Sequence, residues 1–455
     1  MSSSSKAGTR ITSLLDDNSF VEIGARVTAR TTDFNQKPEQ TPSDGVITGY
    51  GVINGSLVFV YSQDASVLGG SIGEMHAKKI AGLYDMAIRT GAPIIGLIDS
   101  TGLRLQEATD ALNAMGTIYA KQAAASGVVP QITAVFGNCG GGLSLFPAMT
   151  DFSFMSGDAK LFVNSPNALA GNSEDVNDTA SASAKSAAGA VDGIGSEDEI
   201  LAKIRTLVAL LPSNNEDSAV GECTDDLNRS SDAAAADPEN VSAVLADVAD
   251  DGAFFEVKKD YAADMVTGLL RLNGTTAGAV ANADAKLTTA GCRKAARFVN
   301  FCDAFNIPVI TLTNADGFAA SAAEENTVAA AAAELTYAFA NASVPKVNVI
   351  CGKAFGSAYN VMNSKATGAD ITVALPGAKV GMMDAKLAVQ VIAGSDNAED
   401  VASRYDALQN SIDSAASHGY VDEIVEPADL RKYLIGAEEM LFTKQAVVEK
   451  KHGTV

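Results

Sequence analysis

Paired cysteines and clustered histidines are missing from this sequence, and both absences exclude classes of site. The five cysteines include no CxxC pair and are odd in number, which favours reduced thiols in a cytoplasmic protein over a disulfide framework. The three histidines lie far apart, so the ligand spacing typical of a zinc or haem site is missing. We therefore predict no metal site.

Long apolar runs and an excess of positive charge are missing as well. No run of 18 or more uncharged apolar residues occurs, so we predict no membrane span. The N-terminal segment, MSSSSKAGTR, has no apolar core and does not resemble a secretory signal. The formal net charge of −22 argues against nucleic-acid binding, which requires clustered lysine and arginine. An anionic ligand would have to be held by backbone amides and a few basic residues.

The chain instead carries a long internal repeat. DDNSFVEI, from Asp16, recurs as DDGAFFEV, from Asp250, 234 positions later. The offset then shortens to 215 and stays there, so that GAPIIGLIDSTG, from Gly91, faces NIPVITLTNADG, from Asn306. A repeat of this length indicates a duplicated domain rather than a solenoid unit. The 455 residues, of which 47% are apolar, suffice for two or three domains with large cores.

Each half alternates apolar runs of strand length with helical stretches. In the first half NGSLVFVYSQ, EMHAKKIAGLYDMAIRTG and APIIGLIDS follow one another in this order. That order predicts an α/β fold in which parallel strands are joined by helical crossovers. Polar, low-complexity segments separate the halves, and we place the boundary near residue 235, which gives domains 1–235 and 236–455.

Two glycine-bearing loops in each half are the candidates for a site. GNCGGGLSLFPAMTD in the first half has the copy CGKAFGSAYNVM, and DSTGLRLQEA has the copy NADGFAASAAEE. Glycine lets bare backbone approach a ligand, and the first amides of a helix have no intrahelical partner. Because the carboxyl ends of parallel strands meet at one edge of a sheet, two such loops can form an oxyanion hole. Tight turns with packing glycines are the alternative interpretation.

At these segments the chain resembles a known family. GGSIGEMHAKKI, DSTGLRLQEA, GNCGGGLSLFPAMTDF, VPKVNVICGKAFGSAYNVMNSKATGAD and the tail from Gly419 to KKHG resemble the carboxyltransferase subunit of biotin-dependent acyl-CoA carboxylases and decarboxylases. The resemblance covers nearly the whole chain in the right order. It implies tandem duplicated crotonase/ClpP-like domains, each a spiral of ββα units.

The resemblance also implies a function for each half. The first domain would bind the acyl-CoA, and the second would bind biotin carried on a separate biotin carboxyl carrier protein. The active site would lie between the first half of one subunit and the second half of another, so a homo-oligomer, a dimer or a trimer of dimers, is expected. A biotin carboxylase or a membrane decarboxylase subunit would be a further partner.

Site residues are carried over position by position. The resemblance implies that the hole for the acyl thioester uses amides at Gly102, Leu103, Gly141 and Gly142. The hole for the biotin ureido oxygen would use amides at Gly317, Phe318, Gly356, Ser357 and Ala358. Gly70, Ser71, Lys78 and Arg104 would contact the substrate.

Some of these side chains have a second interpretation. Arg104 either orients the thioester or the CoA, or forms an ion pair with Glu107 or another carboxylate. Lys78, like Lys79 and Lys121, either meets CoA phosphates or is a solvated charge on a helix face. His76 is expected to be a histidine of a helix face rather than a base.

The implied reaction is carboxyl transfer between carboxybiotin and a short-chain acyl-CoA, with the propionyl/methylmalonyl type favoured. It needs two stabilised oxyanions, which backbone amides supply, rather than a side-chain acid and base. The alternatives are a glutaconyl-CoA-type decarboxylase subunit of a sodium pump and a non-catalytic scaffold subunit. The chain departs from the family on the biotin side, with Ala319, Ala320 and Ser321 after Phe318 and with Ser357 in place of glycine.

A serine hydrolase is a further alternative. The segment from Gly69 to Gly73 matches G-x-S-x-G between a strand and a helix, which would make Ser71 the nucleophile. His418 or His452 would then be the base. The duplication and the family resemblance of the same segment both argue against this interpretation.

Overall fold

A computed structural model describes residues 5–34, 41–392 and 398–444. The chain divides into two compact units, Met1–Ser218 and Ala219–Val455. Residue 235, the boundary expected from the sequence, lies in a short helix of the second unit, Asp232–Ala236. His452 and the KKHG tail lie outside the described residues.

The first unit is built on an eight-stranded sheet, whose strands are β1 (Val21–Ile23), β2 (Val46–Ile53), β3 (Ser56–Gln63), β4 (Ile94–Ser100), β5 (Gln131–Gly140), β6 (Phe152–Ser156), β7 (Lys160–Phe162) and β8 (Gly193–Gly195). The order is β1-β2-β3-β4-β5-β6-β8, and β7 extends the pairing of β5. The first three strands are antiparallel, and all later pairs are parallel. Asn54 and Gly55, both with positive φ, make the β2–β3 turn.

Helices cover this sheet, namely α1 (Lys6–Leu14), α2 (Glu74–Thr90), α3 (Ala108–Ala125), α4 (Leu145–Met149), α5 (Ala182–Ala187) and α6 (Glu197–Leu210). α2 buries a stripe at helical spacing that includes Ala77, Ile80, Tyr84 and Ala87, because these side chains recur every three or four residues. It ends at Gly91, which adopts the left-handed conformation that only glycine takes without cost.

The second unit repeats this sheet. Its strands are β9 (Phe254–Val257), β10 (Met265–Leu272), β11 (Thr275–Asn282), β12 (Lys286–Leu287), β13 (Val309–Ala315), β14 (Gly317–Phe318), β15 (Lys346–Phe355), β16 (Ile371–Ala374), β17 (Lys379–Gly381) and β18 (Glu423–Ile424). The order β9-β10-β11-β13-β15-β16-β18, with β17 on β15, is that of the first unit. β12 and β14 pair separately.

The helices of the second unit are α7 (Asp232–Ala236), α8 (Val241–Val248), α9 (Thr289–Ala304), α10 (Ala322–Glu325), α11 (Val328–Asn341), α12 (Gly356–Val361), α13 (Ala385–Ile392), α14 (Ala398–Tyr405), α15 (Ile412–Ser417) and α16 (Leu430–Leu441). The alanine-rich stretch 327–344 contains α11. None of the helices in the described ranges is long and apolar enough to cross a membrane.

A glycine on the second strand of each sheet explains how closely the first strand packs against it. A Cβ atom on Gly49 of β2 would lie 2.2 Å from the Val21 carbonyl oxygen, and one on Gly268 of β10 would lie 2.4 Å from the Phe255 carbonyl oxygen. Both distances are far below van der Waals contact, so only glycine lets the first strand of each sheet approach this closely.

Candidate active site

In the first unit the loop after β4 meets the turn after β5 at the carboxyl end of the sheet. Ile98 pairs with Val135 and Ser100 with Cys139, so the register shifts near the ends of the two strands and β5 has two extra residues there. A Cβ atom on Gly102 would lie 3.5 Å from the Gly140 carbonyl oxygen, which places the two loops in contact. Gly102 and Gly141 have φ values of 98° and 61°, a region that favours glycine.

The backbone of Leu103 presents a free donor beside this contact. Ile72 N–H donates to the Gly102 carbonyl at 2.8 Å, and Arg104 N–H donates to the Ile72 carbonyl at 2.9 Å. Because successive N–H groups of an extended chain point to opposite sides, the Leu103 N–H points away from Ile72. It has no hydrogen-bond acceptor among the residues that the structure describes. An unpaired amide of this kind is available to a ligand.

The glycine turn after β5 supplies further amides. A single 3₁₀ turn over Gly141–Ser144 precedes α4, and Gly142 is exposed. The first N–H groups of such a helical segment have no partner within it. The Tyr119 hydroxyl donates to the Gly142 carbonyl oxygen at 2.7 Å and so fixes the orientation of the peptide that follows Gly142.

The Arg104 side chain is buried and holds the loop after β4 in place. Its Nη1 lies 2.6 Å from Asp44 Oδ1 and 2.8 Å from Glu107 Oε1. Its Nη2 donates to the Ser71 carbonyl oxygen at 2.7 Å, and only 1% of the residue is exposed. Of the two roles weighed for Arg104, the structure shows the ion pair.

A carboxylate from the same loop fixes the start of the long helix α2, which precedes β4 in the chain. Glu107 Oε2 accepts from the Glu74 N–H, the first of α2, at 2.6 Å. In the second unit Glu324 Oε2 accepts from the Thr289 N–H, the first of α9, at 2.7 Å. An anion at a helix N-terminus is stabilised by the helix dipole and by the unpaired N–H groups. The loop and the helix are thus held together in both units.

The lysines considered for CoA phosphates already have partners in this unit. Lys78 Nζ lies 2.7 Å from Glu74 and is largely exposed, and Lys121 Nζ lies 2.5 Å from Asp85. Lys79 Nζ donates to the Ser43 carbonyl oxygen at 3.0 Å, and burial lowers its pKa to about 8. Lys78 is therefore the most accessible of the three to a phosphate.

His76 and Gly70 are both tightly packed. Burial lowers the pKa of His76 to about 3, so its imidazole is neutral at physiological pH. Its Nδ1 contacts the Asp44 carbonyl oxygen at 2.9 Å and its Nε2 contacts Gln63 at 3.2 Å, so it is a buried histidine rather than an exposed one. A Cβ atom on Gly70 would lie 2.4 Å from the Asp99 carbonyl oxygen, so this position admits only glycine.

The second unit repeats the loop pair. Ala319 N–H donates to the Leu287 carbonyl at 2.9 Å, which directs the preceding Phe318 N–H to the opposite side, as at Leu103. Gly317 and Gly356 have φ values of 139° and 59°. α12 begins at Gly356, and its first amides have no partner within the helix. Ser357 is exposed at this turn, and Ala358 is buried.

A cavity of about 610 Å³ lies in the second unit beside this turn. Gly356 and Ser357 form part of its wall. Four rings also line it, those of Tyr359, Tyr405, His418 and Tyr420. The rings of His418 and Tyr420 are stacked with their centroids 5.9 Å apart. The cavity therefore offers aromatic faces next to backbone amides.

The nucleophile proposed for a serine hydrolase lacks its base. Ser71 Oγ accepts from Arg104 Nε at 3.2 Å, and in the described ranges no histidine is hydrogen-bonded to it. His418 lines the cavity of the second unit, and His452 lies outside the described residues. Ser71 is buried, so its hydroxyl serves to orient Arg104.

Sequence reasoning missed a charged cluster beside the second loop pair. Asp316 Oδ1 lies 2.6 Å from Lys286 Nζ, and Asp316 Oδ2 lies 3.1 Å from Lys353 Nζ. Lys286 is on β12, Asp316 follows β13 and Lys353 is on β15, so their spacing in the sequence gives no motif. Comparing the two halves position by position at the offset of 215 would have revealed them, because the first half has uncharged residues there.

The structure therefore shows two α/β units with the same strand order. Each unit has a pair of backbone-amide loops whose glycines adopt positive φ. A sequence model of the carboxyl transferase domain matches residues 4–455. The chain belongs to the carboxyl transferase family.

Relatives and solved structures agree with this assignment. The propionyl-CoA carboxylase beta chain of Roseobacter denitrificans is 40% identical over 474 residues, covering 98% of this chain and 92% of the relative. The methylmalonyl-CoA decarboxylase subunit alpha of Veillonella parvula is 36% identical over 469 residues, with the same coverage. The hexameric transcarboxylase 12S, solved with methylmalonyl-coenzyme A bound, matches with a TM-score of 0.93 at 35% identity over 98% of this chain and 92% of that one. The predicted family and fold class are confirmed.

Proposed function

We propose that this chain is the carboxyltransferase subunit of a biotin-dependent enzyme that acts on a short-chain acyl-CoA of the propionyl/methylmalonyl type. The observation that carries the proposal is the Leu103 N–H beside the glycine turn, which has no acceptor among the described residues. The Phe318 N–H beside the second turn is directed in the same way, because Ala319 N–H donates to the Leu287 carbonyl. The names of the relatives, a propionyl-CoA carboxylase and a methylmalonyl-CoA decarboxylase, support this acyl class.

The first unit would bind the acyl thioester. The N–H groups of Leu103 and of the turn at Gly141 and Gly142 would donate to the thioester oxygen as it gains negative charge. Removing a proton or a carboxyl group next to a thioester leaves an enolate, and donors aimed at its oxygen lower the barrier to forming it. Losing one such donor costs about 3–4 kcal/mol in the transition state.

The second unit would receive biotin from a carrier protein. The cavity beside Gly356 and Ser357 fits a small uncharged bicyclic urea, because it joins aromatic walls to backbone amides. When bound, biotin supplies a ureido nitrogen that carries the carboxyl group. The Phe318 N–H and the first amides of α12 would hold the ureido oxygen and orient the ring.

An oligomer is part of the proposal. The transcarboxylase 12S structure is a hexamer, which supports a homo-oligomer for this chain as well. Light scattering coupled to size exclusion should give a mass of at least twice the 46.6 kDa of the chain. A monomer that is fully active would contradict this part of the proposal.

The decisive assay follows carboxyl loss from a panel of acyl-CoA thioesters with and without free biotin. We expect methylmalonyl-CoA to be decarboxylated only when biotin is present, and malonyl-CoA and glutaconyl-CoA to react more slowly. Activity without biotin would contradict the proposal. CoA binding measured by calorimetry with no turnover of any thioester would instead identify a scaffold subunit.

A further inference from the structure

The two loop pairs differ in charge at equivalent positions. An offset of 215 positions aligns three uncharged residues of the first unit with three charged residues of the second. The aligned pairs are Ser71 with Lys286, Thr101 with Asp316, and Asn138 with Lys353. The alignment holds in space, because the Ile72–Leu103 bridge of the first unit has its equivalent in the Leu287–Phe318 pair of the second. The charges therefore belong to the second site alone.

The cluster lies beside the second loop pair. A Cβ atom on Gly317 would lie 3.2 Å from Lys286 Nζ, so this ammonium is next to the glycine that precedes Phe318, whose N–H points away from Leu287. Lys353 is on β15, three residues before Gly356. The two lysines thus flank the donors proposed to hold the ureido oxygen.

Two cations share one carboxylate in this cluster. The side chains of Lys286 and Lys353 are 51% and 47% exposed, whereas that of Asp316 is 20% exposed. The neighbouring Lys379, which pairs with Lys353 across the strands, is neutralised by Asp406 at 2.5 Å. The cluster therefore keeps one positive charge and two accessible ammonium groups, on a chain whose net charge is −22.

We propose that Lys286 and Lys353 bind the carboxylate group that is transferred, at the second loop pair and not at the first. This inference rests on the proposed function. Ammonium groups form charge-assisted hydrogen bonds to carboxylates that are about twice as strong as neutral ones. The first loop pair, with Ser71, Thr101 and Asn138 in the same places, is suited to an uncharged thioester.

Binding is tested without turnover by lysine footprinting. The folded full-length chain is acetylated with a water-soluble reagent, and the rate at each lysine is read by mass spectrometry. The probes are 2-imidazolidone-4-carboxylate, a cyclic urea with a carboxylate, and 2-imidazolidone, which lacks it. We expect the anionic probe to slow acetylation of Lys286 and Lys353 at least threefold, and the neutral probe to have no effect. Lys432, 49% exposed and paired with Asp429, is the internal control.

Three results would overturn the inference. Equal protection by the neutral urea would show that the carboxylate is not what binds. Protection by neither probe would show that the lysines are not a carboxylate subsite. Stronger protection by free CoA than by the anionic urea would assign them to the CoA phosphates instead.

Kinetics give an independent test. Biotin methyl ester serves as acceptor, so that the tail carboxylate of free biotin does not compete. We expect K286M and K353M each to lower kcat at least tenfold with an unchanged dissociation constant for methylmalonyl-CoA, and K353R to retain at least a third of kcat. If K286M and K353M lower kcat only when free biotin is the acceptor, the lysines bind the tail carboxylate of biotin, and the inference is overturned. If the unaltered protein transfers no carboxyl group, the proposed function fails, and footprinting still decides the carboxylate subsite.

Discussion

Arg104 and Asp44 form an ion pair at 2.6 Å from which water is excluded, 60 positions apart in the chain. Glu107 shares the same guanidinium. The loop that carries the Leu103 amide is therefore held by two buried carboxylates through Arg104. Removing the cation would leave both carboxylates buried without compensation, which costs far more than the pair contributes to stability.

We accordingly expect R104M to lower the free energy of unfolding of the first unit by about 3–5 kcal/mol. Urea titration followed by fluorescence or circular dichroism measures the change. The matched control is R30M, because Arg30 pairs with Glu74 at 3.0 Å but is 42% exposed. Such a surface pair contributes about 0–1 kcal/mol. Equal stability of the two variants would contradict the buried role of Arg104.

Substitution of Gly102 should affect the reaction more than binding. Alanine at this position, whose φ is 98°, would strain the backbone and shift the neighbouring Leu103 N–H. We expect G102A to lower kcat by about 10²–10³, as for the loss of one oxyanion donor, while CoA still binds. G116A on α3 is the control, because an added Cβ there meets no described atom within 4 Å. A G102A enzyme with normal kcat would remove the first loop pair from the mechanism.

Tyr119 offers a milder test of the same site. Its hydroxyl donates to the Gly142 carbonyl oxygen at 2.7 Å. We expect Y119F to cost about 1 kcal/mol of stability, the net value of one hydrogen bond, and to lower kcat about fivefold with little change in KM. Measuring kcat and KM separately checks this, because a purely structural role would change stability and leave kcat intact.

A buried carboxyl group should make stability depend on pH. Glu438 on α16 has no hydrogen-bond partner for either oxygen among the described residues, and burial, together with the nearby Asp250, raises its pKa to about 8. In the unfolded chain the group ionises near its ordinary value of 4.5. The folded state therefore binds the proton more tightly, so stability is full below about pH 4.5 and falls as the pH rises to about 8.

The variant E438Q should remove this dependence, because an amide stays neutral at every pH. Its stability relative to the unaltered protein should increase with pH between about 4.5 and 8, by at most about 1.4 kcal/mol per pH unit. Urea titrations of both proteins at pH 5, 6, 7 and 8 measure the difference. A difference that stays constant across this range would show that Glu438 is not protonated in the folded state.

The repeat in the sequence predicted more of the architecture than any single motif did. Its constant offset reappears in the pairing of Ile72 with Leu103 and of Leu287 with Phe318. The antiparallel start of each sheet was not predicted, although Asn54-Gly55 and Asn273-Gly274 are typical hairpin turns. An apolar run of strand length does not by itself show whether the strand pairs in an antiparallel hairpin or in a parallel sheet. The Asn-Gly turn between two such runs is the feature that indicates a hairpin.

Side-chain roles were harder to predict than loop positions. Glycine marks a loop because backbone conformation is a local property, and Gly102, Gly141, Gly317 and Gly356 all have positive φ. The role of Arg104 depends on Asp44, which is distant in sequence, so no local pattern could decide between its two interpretations. The Lys286 cluster likewise requires β12, β15 and the end of β13, which only the folded unit brings together.

The central claim is that each unit supplies its own oxyanion donors to one reaction. The most direct measurement is kcat for biotin-dependent loss of the labelled carboxyl group from methylmalonyl-CoA, compared between G141A and G356A, which alter equivalent turns with φ values of 61° and 59°. We predict that each variant lowers kcat at least tenfold, and that the acyl-CoA dissociation constant is unchanged in G356A. Full activity in either variant would contradict the account, because one unit would then be dispensable.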